Sequence, residues 1–83
     1  MSNFVPSAQY PAFSGLCRDL RRCTDLTNRE TAKAVETAIL GQIKQLTGSF
    51  SAADRIAAAE WLWETYLDVP PFDQVFVLLN SPA

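Results

Sequence analysis

Cys17 and Cys23 are the two cysteines of the chain and the first residues to consider for chemistry. Six residues along one helix separate their alpha carbons by about 9 Å of axial rise, which exceeds the reach of a disulfide bond. Their spacing also differs from the two-residue spacing of redox and zinc motifs. We expect Cys17 to fill the core, whereas Cys23, close to Arg21 and Arg22, is a candidate for a lowered thiol pKa.

Acidic side chains recur at four-residue intervals at Glu60, Glu64 and Asp68, beside Trp61. Paired carboxylates serve as acid and base in hydrolases, and carboxylates one turn apart occur in metal-binding helical bundles. Both uses need further polar residues, and the chain has no histidine, the commonest general base and metal ligand. We therefore expect neither a catalytic nor a metal site, but a surface for a basic partner protein or a merely solvated face.

Three arginines, Arg18, Arg21 and Arg22, fall near the end of the first predicted helix. Basic side chains at that end complement the helix dipole, which is a purely structural explanation. The same cluster can bind phosphate or a carboxylate-rich protein, so it is also a candidate second contact patch. The three glycines of the chain are scattered and form no phosphate-binding loop, and we expect no cofactor.

The net charge of −2 conceals an uneven distribution. Residues 1–33 hold five basic and three acidic side chains, whereas residues 51–83 hold one basic and five acidic side chains. The overall charge argues against general nucleic-acid binding through phosphate neutralisation. The opposite charges could neutralise each other within one fold or in a head-to-tail dimer.

Length and composition indicate one small domain spanning residues 1–83, of which 48% are hydrophobic and 19% charged. So short a chain cannot hide that much apolar surface, and we expect a homodimer or a protein partner. The sequence has no run of about 20 apolar residues that could span a membrane. The first ten residues lack the charged and apolar regions of a signal peptide, which predicts a cytoplasmic location.

The elements that position these residues are all predicted helices. The sequence predicts an all-α fold, a small bundle of three main helices plus a short C-terminal fourth helix, near residues 12–23, 28–47, 52–67 and 71–79. Residues 1–10 form an irregular arm and residues 81–83 a tail. The apolar run in 72–79 also permits a short buried strand.

Local signals set the helix boundaries. Thr27 and Glu30 match a capping box, and Ser51 is a good N-cap. Gly48 is the expected left-handed terminator of the second helix, and Pro70 stops the third near Leu67 or Asp68. Because only four residues link the second and third helices, we expect these two to be nearest neighbours.

The apolar spacing of the third helix sets its predicted orientation. The residues that we expect to face the core are Ile56, Ala59, Trp63, Tyr66 and Leu67. This arrangement leaves Trp61 on the acidic side. Gly41 in the second helix is a candidate point of close helix crossing, since an interior glycine costs about 1 kcal/mol without such a contact.

These patterns together predict a non-catalytic protein-protein interaction domain that acts as an adaptor, or as a regulator or inhibitor of a larger complex. The contact residues are Glu60, Trp61, Glu64 and Asp68, with Arg18, Arg21 and Arg22 as the second patch. The alternative is a small nucleic-acid-associated regulator that uses the three arginines.

Overall fold

The computed structural model describes residues 4–80, and every regular element in that range is an α-helix. The helices are α1 (Tyr10–Cys23), α2 (Arg29–Thr47), α3 (Ala52–Thr65) and α4 (Phe72–Asn80). The predicted all-α fold is confirmed, and the segment that could have formed a strand is α4. Residues 1–3 of the predicted arm and the predicted tail, 81–83, lie outside the described residues.

Side-chain caps begin α2 and α3. The Ser51 hydroxyl oxygen accepts a hydrogen bond from the Asp54 backbone N–H at 3.1 Å, as predicted. At α2 the cap is Asn28, whose side-chain oxygen accepts from the Thr31 N–H at 3.1 Å. The predicted cap is therefore wrong by one residue, because Asn28, with an extended backbone, occupies the capping position in place of Thr27.

The α3 terminus differs from its prediction in position and in kind. The helix ends at Thr65, and the backbone N–H groups of Tyr66 and Leu67 both donate to the Leu62 carbonyl oxygen, at 2.8 and 3.3 Å. Leu67 adopts a left-handed φ of 62°, whereas Gly48, the predicted left-handed terminator of α2, has a φ of −61°. A leucine thus occupies the kind of backbone position that usually selects glycine.

The centre of the core is a cluster of seven aromatic rings. Phe4 is completely buried, and its ring centroid lies 5.8 Å from Tyr10, 5.4 Å from Phe13 and 6.0 Å from both Phe50 and Trp61. The cluster continues through Tyr66 to Phe72, whose rings stack at 4.4 Å. Phe4, within the predicted arm, therefore packs into the core of its own domain.

Aliphatic side chains from all four helices surround these rings. Among the fully or almost fully buried ones are Cys17, Leu20, Ile43, Leu62, Val75 and Leu79. The helix pairs with the closest backbones are α1–α2, α2–α4 and α3–α4. The consecutive helices α2 and α3 approach less closely, so the prediction that they are nearest neighbours is wrong.

Gly41 does not mark a helix crossing. A side-chain β carbon built on it would meet no atom of another part of residues 4–80 within 4 Å. The described part of the chain therefore gives no packing reason for a glycine in the middle of α2. Within residues 4–80, no helix combines the length and the apolar character that a membrane crossing requires.

Candidate protein-binding surface

The two tryptophans of α3 have opposite environments. Trp61 is 9% exposed, and its ring lies 5.6 Å from Tyr10 and 5.8 Å from Phe13. Trp63 is 55% exposed. Because two residues turn an α-helix by about 200°, only one of the two rings can face the core. The predicted exposure of Trp61 and burial of Trp63 are both wrong, and the assignments are reversed.

The physical reason for the reversal is that α3 is apolar on nearly all sides. Its buried residues are Ala58, Trp61 and Leu62, whereas Ile56 is 63% exposed. Alanines on every face remove the contrast that normally identifies the inward side of an amphipathic helix. The N-terminal segment decides the orientation instead, because the Phe4 ring covers Trp61.

Trp63 lies against α4. Its ring centroid is 6.3 Å from that of Phe76, and the two planes make an angle of 67°. Ile56 lies two turns before Trp63 on the same side of α3. These exposed and half-buried side chains form an apolar strip across α3 and α4 that the sequence pattern did not identify.

Carboxylates flank this strip on both helices. Glu60 and Glu64 are exposed one turn apart on α3, and Asp73 is exposed one turn before Phe76 on α4. We call this set the acidic-aromatic surface, and its members are Ile56, Glu60, Trp63, Glu64, Asp73 and Phe76. Asp68 is exposed, but it follows the end of α3 and does not continue the helical row as predicted.

Arg55 is the basic residue of α3, and its guanidinium reaches the end of α4. The guanidinium donates to the carbonyl oxygens of Leu78 at 3.2 Å and Leu79 at 3.5 Å. A cation at the C-terminal end of a helix satisfies free carbonyls and complements the helix dipole. Since α4 contains no basic residue, the acidic-aromatic surface keeps its negative charge.

The three arginines of the second predicted patch lie on α1, and all are exposed. Arg21 donates to the Thr24 hydroxyl and forms an ion pair with Asp25 at 3.2 Å. Burial raises the pKa of the Tyr66 phenol, and the positive charges of Arg18 and Arg21 partly offset that rise.

Neither cysteine is an activated nucleophile. Cys17 is completely buried, and burial raises the pKa of its thiol to about 12. At Cys23 the pKa is also raised, first by burial and then by the negative charges of Glu36 and Asp19. The predicted lowering of the Cys23 pKa is wrong, and both thiols are free and protonated at neutral pH.

The structure has two concave regions among the described residues. An apolar groove of about 320 Å³ runs between α2 and α4, and its lining residues are Leu40, Gly41, Lys44, Gln74, Val77 and Leu78. A more polar hollow of about 630 Å³ lies beside the α1–α2 turn, with Cys23, Arg29 and Lys33 among its lining residues. Among residues 4–80, no three cysteine or carboxylate side chains group as metal ligands.

Comparison with protein-family models, with curated protein sequences and with solved structures gives no match for this chain. A functional assignment therefore depends on the surfaces described above.

Proposed function

We propose that this chain is a non-catalytic protein-binding domain, an adaptor or a regulator or inhibitor of a larger complex. The acidic-aromatic surface is its contact site. The observation that carries the proposal is the position of Trp63, which is 55% exposed and lies against Phe76 between carboxylates on two helices. Tryptophan is enriched among the residues that dominate binding energy at protein interfaces.

The exposed apolar area supports this role. Ile56 is 63% exposed and shares a side of α3 with Trp63, so the apolar strip continues beyond a single ring. Isolated exposed apolar residues need no explanation, but a contiguous strip with a polar border is typical of an interaction site.

The charges indicate the chemistry of the partner. Glu60, Glu64 and Asp73 are negative, and Arg55 is engaged at the end of α4. An amphipathic helix with apolar residues on one side and lysine or arginine at the borders complements this surface in shape and in charge. We therefore propose a basic amphipathic segment of another protein as the partner.

The proposal keeps Glu60 and Glu64 from the predicted contact set and replaces Trp61 by Trp63. Asp68 lies at the edge of the site.

The proposed function further includes a cytoplasmic location, a homodimer, and a bundle in which α4 is a short accessory to three main helices.

The nucleic-acid alternative has one observation in its favour, the exposure of Arg18, Arg21 and Arg22 on a single helix. Against it, Arg21 is paired with Asp25, and the net charge is −2. A salt titration with DNA and RNA tests this alternative, since binding through phosphates weakens steeply as salt rises.

The test of protein binding is a titration with a synthetic amphipathic helix made of leucine and lysine. We expect saturable binding to the wild-type chain that Trp63→Ala, and separately the pair Glu60→Gln and Glu64→Gln, weakens at least about tenfold. The control ligand is the same peptide with glutamate in place of lysine. The control variant is Val35→Ala, at an exposed position on α2. Equal binding by wild type and Trp63→Ala would contradict the proposal.

A further inference from the structure

The groove between α2 and α4 continues onto an exposed side of α2. Among residues 4–80, no other part of the chain covers this side. Leu40, Gly41 and Lys44 line the groove from α2, and Val77, which is 62% exposed, lines it from α4. Because a β carbon at Gly41 would meet no atom of the other described segments within 4 Å, the space above this residue is open among residues 4–80. The groove is therefore accessible to another helix.

Five residues spaced alternately four and three apart share one side of α2, from its first turn to its last. They are Glu30, Ala34, Thr37, Gly41 and Lys44, all of them exposed. Opposite charges stand at the two ends, and small uncharged residues lie between them. Glu30 and Lys44 are about 21 Å apart along the axis, so they cannot pair within one chain.

Neither charge has a hydrogen-bond or ion-pair partner among residues 4–80. An antiparallel second α2 would bring the Glu30 end of each helix alongside the Lys44 end of the other. A parallel second α2 would place like charges together, which is unfavourable. The charge complementarity of α2 with itself thus selects one orientation.

We infer that the groove and the adjoining side of α2 bind a second copy of this chain, with the two α2 helices antiparallel about a two-fold axis. In a two-fold dimer the same surface meets itself, so that a surface of one charge is repelled. The acidic α3 and the arginine-bearing α1 are poor choices for this reason, whereas α2 is self-complementary. The inference specifies the interface of the proposed homodimer and rests on that part of the proposed function.

The test is charge reversal followed by sedimentation at micromolar to submillimolar concentration. We expect a wild-type dimer, at least about a tenfold rise in its dissociation constant for Glu30→Lys alone and for Lys44→Glu alone, and recovery to within about threefold in the double variant. A strictly monomeric wild type, or a double variant as weak as the singles, would overturn the inference.

The double variant also separates this interface from an effect on the helix itself. Glu30 lies in the first turn of α2 and Lys44 in the last, where each suits the helix dipole. The dipole alone predicts that reversing both charges is worse for the helix than reversing one, whereas the interface predicts that association returns.

A wedge at Gly41 gives an independent test. Gly41→Gln is compatible with the monomer because the space there is open, and we expect it to weaken association at least about tenfold. Gly15→Gln on α1, another glycine with no neighbour within 4 Å, is the matched control and should leave the dimer unchanged. Unchanged association of Gly41→Gln would overturn the inference. In every α2 variant, we expect binding of the leucine-lysine peptide to the acidic-aromatic surface to stay as in the wild type.

Discussion

The guanidinium of Arg55 on α3 donates a hydrogen bond of 3.2 Å to the carbonyl oxygen of Leu78, near the end of α4. This contact joins two consecutive helices through residues 23 positions apart and satisfies a carbonyl that α4 itself leaves free. It also directs the cation of α3 towards the end of α4. One side chain therefore contributes both to stability and to the charge of the proposed contact site.

Replacing Arg55 with methionine should weaken this end of α4. We expect a loss of about 1–2 kcal/mol in the free energy of unfolding, because a partly buried charge at a helix C-terminus is removed. Amide hydrogen exchange in α4 should accelerate more than exchange in α1. Arg18→Met, at an exposed position on α1, is the control and should change stability little.

The tryptophans of α3 should differ sharply in a stability measurement. Trp61→Ala removes a ring that contacts four other aromatic residues, and we expect a loss of about 3–5 kcal/mol by urea unfolding. Trp63→Ala removes a half-exposed ring and should cost no more than about 1.5 kcal/mol. Similar losses for the two variants would show that the orientation of α3 is different from the one described.

Stability should fall in alkaline solution because of the buried thiol at Cys17. Its pKa rises from the ordinary 9.0 to about 12 in the folded chain. Above pH 9 the unfolded thiol releases its proton while the folded thiol keeps it, so the unfolded state is favoured progressively up to about pH 12. Below pH 9 this group leaves stability unchanged.

The slope due to Cys17 should be at most about 1.4 kcal/mol per pH unit. Urea unfolding at pH 8, 9 and 10 measures it, with Cys17→Ala as the comparison. The alanine variant should be less stable throughout because of the cavity, yet lose less stability between pH 9 and 10. Parallel curves for the two proteins would assign the alkaline loss to other groups, including Tyr66, whose pKa is also raised.

The two open glycines offer a direct measurement of backbone cost. Gly15→Ala and Gly41→Ala should each raise the free energy of unfolding by about 0.5–1 kcal/mol, since alanine is the better helix former and neither β carbon meets an atom. The measurement should be made at low protein concentration, where the chain is monomeric. A loss of stability at Gly41 alone would indicate that the chain itself occupies that space.

The helix positions were predictable because local chemistry determines them. The hydroxyl of Ser51 caps α3 as predicted, and α4 follows the two prolines. The exact cap of α2 was missed because Thr27 and Asn28 are both good cap residues, and only the extended backbone of Asn28 distinguishes them.

The orientation of α3 was not predictable by the same means. The position of Trp61 depends on Phe4, which comes from a segment without any apolar periodicity. The strip formed by Trp63 and Phe76 requires two helices to meet, and no pattern within either helix reports that contact. The sequence pattern therefore did not place Asp73 in the proposed contact surface, although its exposure on the first turn of α4 was foreseeable.

The completely buried ring of Phe4 has a consequence for the order of assembly during translation. Phe4 leaves the ribosome long before Trp61, which it must contact. Until α3 has been synthesised, Phe4 has no finished hydrophobic site to occupy. The core should consequently form late and in one cooperative step, and a chain without the Phe4 ring should be more exposed to proteolysis.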